Sequence, residues 1–118
     1  MGECRGWEMP TRRDDRGEQN VLFTRAGFSR GGHFHRNMTE TITVLTGVVR
    51  FEIKNTFGRL HWFIANKGST VVIARAHGHV FYALHDALVL QEFDKPYDQK
   101  DEIPCKISDH DGGIDRDH

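Results

Sequence analysis

The sequence predicts an all-β domain, a sandwich or a closed barrel of short strands, and three observations support that prediction. Short runs rich in β-branched and aromatic residues recur along the chain, with glycine, asparagine or aspartate at the turns between them. Residues 48–54 alternate between apolar and charged side chains, which is the period of a half-buried strand. No stretch of the sequence has the period of an amphipathic helix of any length.

A chain of 118 residues is long enough for one domain with a modest core. Residues 1–20 are polar and turn-rich apart from Trp7 and Met9, and we predict an N-terminal arm or edge strand there. A barrel is predicted over residues 21–97, and residues 98–118 are predicted as a polar, solvated C-terminal tail. Outside the histidine motif described next, strands are expected at residues 21–26, 48–54, 60–65, 70–73, 79–84 and 87–93.

One segment, GFSRGGHFHRNMTETITVLTG, carries the most informative pattern in the chain. His33 and His35 stand two residues apart, so both imidazoles of an extended strand point to the same side of the sheet. Glu40 opens the next apolar run, and the two-residue period places its carboxylate on the face of Ile42 and Val44. The carboxylate is therefore predicted to enter the barrel interior.

Written as Gly27-x5-His33-x-His35-x4-Glu40-x6-Gly47, this segment resembles the first conserved motif of the cupin superfamily at every position. Together with the second motif, the resemblance covers roughly residues 21–93. It implies a double-stranded β-helix, the jelly-roll barrel in which cupins are built.

The second cupin motif, G-x5-P-x-G-x2-H-x3-N, is matched in part. The corresponding residues are Gly68-x5-Ala74-x-Ala76-x2-His79-x3-Ala83. The first glycine and the histidine are present at the family spacing, whereas the proline, the second glycine and the asparagine are replaced. The turn that presents the histidine is therefore expected to be less rigid than in other members.

By this resemblance His33, His35, Glu40 and His79 are the metal ligands. Three imidazoles and one carboxylate suit a divalent transition metal and leave coordination positions open, whereas calcium prefers oxygen ligands. The sequence does not distinguish Fe, Mn, Ni, Co, Zn and Cu, which all accept this set. His77 shares the strand parity of His79 and stays an alternative as fourth ligand, with a role as outer donor or catalytic acid/base if it does not bind metal.

Charge, cysteine content and targeting signals limit the partners and the cellular location that can be expected for the chain. The 16 basic and 17 acidic side chains give a formal net charge of −1, so no bulk field attracts nucleic acid or an anionic membrane. Cys4 and Cys105 lie near opposite ends, which favours reduced thiols over a disulfide framework. Without a signal-peptide pattern or a membrane-length apolar run, we expect a cytoplasmic protein.

Candidate substrate-binding residues lie on or beside the motif strands. A group of arginines at a barrel mouth suits an anionic substrate, such as a phosphorylated sugar, a sugar nucleotide or a carboxylic acid, although each arginine could equally serve solubility. His77 and Tyr82 are the predicted catalytic acid/base groups. The predicted substrate-binding residues are Arg25, Arg36, Arg75 and Gln91, and Arg30 belongs to the same arginine group.

The layout is loosely similar to small cupins of sugar and polysaccharide biosynthesis. We therefore predict a metal-dependent enzyme that transfers protons, an isomerase or epimerase, acting on a small oxygen-rich and anionic substrate such as a sugar derivative. An iron-dependent dioxygenase and a non-catalytic metal- or ligand-binding module are the alternatives. A homodimer is expected, because Trp7, Trp62 and Phe63 supply apolar surface to bury.

Overall fold

Ten β-strands and one 3₁₀ helix make up the regular structure of residues 5–107, the part of the chain that the computed structural model describes. Cys4 and residues 108–118 of the predicted tail lie outside the described residues. The 3₁₀ helix is Gln99–Asp101. The strands are β1 Gly6–Asp14, β2 Gly17–Thr24, β3 Ser29–His35, β4 Glu40–Thr46, β5 Val48–Lys54, β6 Leu60–Asn66, β7 Thr70–Ile73, β8 Gly78–Ala83, β9 Ala87–Phe93 and β10 Glu102–Pro104.

The strands form two five-stranded antiparallel sheets. The first has the order β1-β2-β9-β4-β7 and the second the order β10-β3-β8-β5-β6. Most neighbours within a sheet are distant in sequence, as in a jelly roll, where the chain crosses repeatedly between the two sheets. The predicted all-β jelly-roll barrel is thus confirmed.

Strand positions follow the sequence pattern closely where the pattern alternates. β5, β7 and β9 coincide with the predicted ranges, β6 is longer by one residue at its end, and β8 is shifted by one residue towards the N-terminus. β2 begins earlier than predicted, at Gly17, because Glu18, Gln19 and Asn20 continue the pairing with β9. Those residues are polar, and polar residues at a strand start do not signal a strand by hydrophobic period.

The core lies between the sheets and is built from the inward residues of both. Ile42, Val44, Val49 and Phe51 are fully buried, so the two-residue period of β4 and β5 is observed directly. Each side chain of this kind contributes about 1.5–3 kcal/mol when it leaves water. The remaining core members are Leu22, Ala65, Val71, Ile73, Phe81, Ala83, Ala87 and Val89.

The N-terminal segment forms the edge of the first sheet, where β1 pairs with β2. Arg30 of β3 hydrogen-bonds to both of these strands. On β2 its Nε donates to Thr24 Oγ1 at 2.7 Å and its Nη2 donates to the carbonyl of Phe23 at 2.9 Å, and on β1 its Nη2 donates to the carbonyl of Trp7 at 3.3 Å. The Trp7 ring also stacks on Phe23, with centroids 5.7 Å apart. A buried guanidinium is thereby satisfied by backbone and hydroxyl oxygens.

The segment that we predicted as a tail begins within the barrel wall. β10 pairs with β3, and Ile107 is buried against Val80 and Tyr82 on the outer side of the second sheet. The difference arises because Ile107 offers apolar surface and because Asp101 accepts hydrogen bonds from the residues after β3, contacts that composition does not reveal.

Several large apolar side chains remain at the surface. Trp7, Trp62 and Phe63, which we predicted as surface available for pairing, are all exposed to a third or more. Arg50 lies over the Trp62 ring at 4.1 Å from its centroid and covers part of that surface. No helix among residues 5–107 is long and apolar enough to cross a membrane.

Candidate metal centre

The four residues that the resemblance implies as ligands converge at one end of the barrel interior. His33 and His35 lie on β3, Glu40 on β4 and His79 on β8. One potential ligand atom from each lies within 4.8 Å of those of the others. The pairing of β3 with β8 places His33 opposite His79, and β4 contributes Glu40 from the facing sheet.

A glycine allows β3 to approach β8 next to these histidines. Gly31 has φ +112° and lies at a bulge between the residue pairs of the two strands. A Cβ atom there would stand 2.6 Å from the carbonyl oxygen of His79 and 2.8 Å from Cα of Val80. The close approach therefore requires glycine, and it sets the distance between the imidazoles of the two strands.

One carboxylate oxygen joins the cluster together. Glu40 Oε1 lies 3.0 Å from His79 Nε2 and 3.4 Å from His35 Nε2. His33 packs on both other imidazoles, with ring centroids 4.9 Å from His35 and 4.8 Å from His79. Apart from His33, which is partly buried, the cluster is almost fully withdrawn from solvent.

The outer nitrogen of His79 fixes which nitrogen faces the cluster. Its Nδ1 lies 3.1 Å from the carbonyl oxygen of His77, and since a carbonyl only accepts, Nδ1 carries the proton. The Nε2 lone pair is then free to bind a metal. Metal-ligating histidines in proteins commonly have an outer acceptor of this kind.

Within the described part of the chain, two buried atoms at the centre lack a hydrogen-bond partner. His35 Nε2 and Glu40 Oε1 face each other without forming a hydrogen bond of acceptable geometry. Leaving such atoms unpaired costs about 1–3 kcal/mol each. A divalent cation between them would satisfy both, so the donor set fits a transition metal.

Comparison with known proteins gives a clear result for structure and none for sequence. No family model and no curated protein matches the chain. Capsular polysaccharide assembling protein CapF from Staphylococcus aureus matches with a TM-score of 0.80 and 18% identity over 87% of this chain. CapF with the inhibitor 3-isopropenyl-tropolone matches with a TM-score of 0.80 and 19% identity, also over 87% of this chain.

A variant of oxalate decarboxylase from Bacillus subtilis matches with a TM-score of 0.76 and 17% identity over 84% of this chain. The chain spans only 30%, 32% and 28% of the lengths of these three structures. CapF and oxalate decarboxylase are both cupins. This chain has the cupin fold. At such low identity the similarity establishes the fold. The chemistry has to be inferred from the residues of the site.

The charge state of this cluster follows from its burial and its mutual contacts. Burial favours a neutral Glu40, but the charge of the adjacent His79, the close imidazole nitrogens of His35 and His79 and the hydrogen bond from Gln91 outweigh it and hold the pKa of Glu40 well below its usual range. Burial likewise disfavours the charged form of His79, yet the Glu40 carboxylate raises its pKa above the ordinary value. Without a metal, these contacts therefore favour an ion pair between Glu40 and His79.

His33 behaves in the opposite way. Burial lowers its pKa, and the positive charge of His79 lowers it further, to about 4. A neutral His33 is ready to bind a metal at neutral pH, because a ligating imidazole must be deprotonated.

A cavity of about 400 Å³ opens over the cluster. Of the predicted substrate-binding residues, Gln91 lies on its wall and donates from Nε2 to Glu40 Oε2 at 2.8 Å. Arg25, Arg36 and Arg75 are not on the described wall, because they lie in exposed turns or bends outside the strands. Arg30 does line the cavity, although its hydrogen bonds to Thr24 and Phe23 of β2 and to Trp7 of β1 occupy most of its donors.

The two predicted acid/base residues also lie off the cavity wall. His77 sits in the turn before β8, where its Nδ1 is 3.1 Å from the carbonyl oxygen of Arg75, and it is not a member of the ligand cluster. Tyr82 is buried on the outer side of the second sheet beside Val80 and Ile107. Tyr82 lies three residues after His79 on the same strand, so its side chain points to the opposite face of the sheet.

Polar residues that we did not select from the sequence line the cavity instead. Asn20 donates from Nδ2 to Glu18 Oε2 and to Gln91 Oε1, each at 3.1 Å. Tyr97 donates its hydroxyl to Glu102 Oε1 at 2.8 Å. The sequence did contain a signal for Glu18 and Asn20. They are spaced two residues apart and two residues before the buried Leu22, so all three side chains lie on the same side of β2.

Proposed function

We propose that this cupin is a metal-dependent enzyme that transfers protons on a small oxygen-rich substrate such as a sugar derivative, as an isomerase or epimerase does. The observation that carries the proposal is the pair of buried atoms that have no hydrogen-bond partner among residues 5–107, His35 Nε2 and Glu40 Oε1, beneath a cavity of about 400 Å³. Such a cavity is large enough for a small ligand.

A metal bound by His33, His35, Glu40 and His79 would polarise a carbonyl or hydroxyl oxygen of the substrate. The wall supplies groups that can accept or give a proton: Glu18, Tyr97 and Glu102. Burial, and then the Glu102 carboxylate, raise the pKa of Tyr97 to about 12, so its hydroxyl stays protonated at neutral pH.

Gln91, whose Nε2 carries one hydrogen beyond the bond to Glu40 Oε2, is suited to hold an oxygen atom of a substrate near these groups. The proposal keeps the oxygen-rich substrate and drops the preference for an anion. Arg25, Arg36 and Arg75 lie outside the wall. Arg30 lies on it with most of its donors occupied, and Glu8, Glu18 and Glu102 lie on it as well. The CapF neighbours, described as capsular polysaccharide assembling proteins, add support for a sugar derivative.

The test begins with metal analysis of protein purified without a histidine tag or added metal. The metal-loaded protein is then incubated without oxygen in D₂O with a panel of sugars, sugar phosphates and sugar nucleotides. Deuterium at a carbon next to a carbonyl, detected by mass spectrometry and absent with the His79→Ala protein, is the expected result. Turnover only in the presence of dioxygen would contradict the proposal and indicate an oxygenase. Metal loading without any exchange would favour a binding module.

A further inference from the structure

We propose that Asp101 and Glu102, two consecutive acidic residues of the C-terminal segment, position the ligands His35 and His33 for metal binding. The inference rests on the metal centre of the proposed function. It makes a segment outside both sequence motifs part of the metal site, because each carboxylate stands behind one histidine of β3.

Glu102 stands behind His33. Its Oε2 lies 3.3 Å from His33 Nδ1, which leaves Nε2 as the nitrogen available to a metal. The other carboxylate oxygen, Oε1, accepts the hydroxyl hydrogen bond of Tyr97 at 2.8 Å. With one oxygen fixed by Tyr97, the second is directed to the imidazole.

The pairing of β10 with β3 explains how Glu102 reaches this position. Glu102 is paired with His35 and Pro104 with His33, so the contact between Glu102 and His33 is a diagonal one across the two strands. Diagonal neighbours stand about 7–8 Å apart at Cα, which a glutamate and a histidine can span together.

Asp101 stands behind His35 in the same manner. Its Oδ1 accepts from the backbone N and from Nδ2 of Asn37, each at 2.9 Å, and this fixes the carboxylate. Its Oδ2 is buried 4.0 Å from His35 Nδ1, and neither atom has a hydrogen-bond partner among residues 5–107. An approach of about 1 Å would bring the two atoms into hydrogen-bond distance.

Together with His79, whose outer nitrogen donates to the His77 carbonyl, every histidine of the centre has an oxygen behind it. A carboxylate behind a ligating imidazole fixes its orientation and makes the inner nitrogen more basic. Loss of such a partner costs about 10–100-fold in metal affinity.

The segment is held firmly enough for this task. The amide of Arg36 donates to the carbonyl of Asp101 at 3.1 Å, and the amide of Cys105 donates to the carbonyl of Gly32 at 2.9 Å. Beyond β10, the buried Ile107 anchors the segment on the outer face of the second sheet. The two carboxylates therefore occupy fixed positions relative to β3.

The experiment measures the affinity of the full chain for Co²⁺ by competition with a chelator, for the wild type, Glu102→Gln and Asp101→Asn. Both substitutions keep side-chain size, and Asp101→Asn keeps an oxygen for Asn37. We expect Co²⁺ binding to weaken by about 10–100-fold in each. The matched control is Asp98→Asn, which removes the same charge from an exposed position of the segment and keeps the acceptor for the Lys100 amide. Its affinity should equal that of the wild type.

Two further measurements separate positioning from folding. The thermal transition of the metal-free proteins reports whether each variant is folded. Tyr97→Phe leaves both carboxylates in place and removes only the hydrogen bond to Glu102, so it should weaken Co²⁺ binding less than Glu102→Gln and shift the visible bands of bound Co²⁺.

The possible failures are distinguishable. If folded Glu102→Gln and Asp101→Asn bind Co²⁺ as tightly as the wild type, the positioning role is refuted while the metal centre stands. If the wild type itself does not bind Co²⁺, the metal centre is refuted, and the proposed function with it.

Discussion

The backbone amide of Ala76 donates a hydrogen bond of 2.6 Å to the carbonyl oxygen of His35, which ties the turn before β8 to the end of β3. Ala76 stands where the second cupin motif has glycine, and its φ of +69° lies in the left-handed region. Ala76 therefore adopts a backbone conformation that favours glycine. The turn leads directly into β8, which carries His79 into the cluster.

Ala76→Gly should stabilise the protein. A Cβ atom in the left-handed region costs about 1–2 kcal/mol, and the greater freedom of glycine in the unfolded chain takes back about 0.5–1 kcal/mol. The free energy of unfolding in urea should rise by roughly 1 kcal/mol. Ala74→Gly, in the same turn but without a positive φ, should lower it instead. Equal effects of the two substitutions would contradict the assigned strain.

Gln91→Leu should destabilise the metal-free protein. Gln91 is the residue that donates to Glu40 Oε2, and leucine of similar size leaves this buried carboxylate oxygen without that donor. The expected loss in the free energy of unfolding is about 1–3 kcal/mol. Gln19→Leu on the neighbouring strand is the control, because the side chain of Gln19 makes long contacts of 3.4 Å, one with Glu92 and one with Thr11. A similar loss in the control would show that the Glu40 contact is unimportant.

The local patterns of the sequence were sufficient to predict β5, β7 and β9 and the convergence of His33, His35 and Glu40. Strand parity and the spacing of the motif are local properties, and each determines which side of a strand a residue occupies. The cupin resemblance supplied the fourth member, His79.

The partners of those ligands could not be predicted in the same way. Glu102 reaches His33 only because β10 pairs with β3, and Gln91 reaches Glu40 only because β9 pairs with β4. Such pairings join distant parts of the chain and leave no periodic signal in either part. Arg25, Arg36 and Arg75 are absent from the cavity wall for a related reason. A charged residue near a motif can lie on an inward strand face or in a turn, and its charge does not indicate which.

Divalent metal should raise the thermal stability of the wild type and leave His35→Ala unchanged. A ligand that binds only the folded state stabilises it by about 2.7 kcal/mol at a free concentration one hundred times the dissociation constant. The measurement is a thermal melt with and without Co²⁺. His61→Ala serves as control, because His61 is an exposed histidine of β6 and should not alter the metal effect. An undiminished shift in His35→Ala would place the metal elsewhere.

In the metal-free protein, the pKa of His33 should lie below the ordinary histidine value of 6.5 and the pKa of His79 should lie above it. The folded protein keeps His33 neutral down to about pH 4. Between pH 6.5 and pH 4 the unfolded chain binds a proton at this residue and the folded state does not, so the protein loses stability as the pH falls through this range. The ion pair of His79 acts in reverse, stabilising below pH 6.5 and losing its effect as the pH rises through the raised pKa. Imidazole ¹⁵N spectra of chelator-treated protein resolve the two titrations. Glu40→Gln removes the charge that raises the pKa of His79 and should bring that titration down; a titration of His79 below that of His33 in the wild type would refute the ion pair.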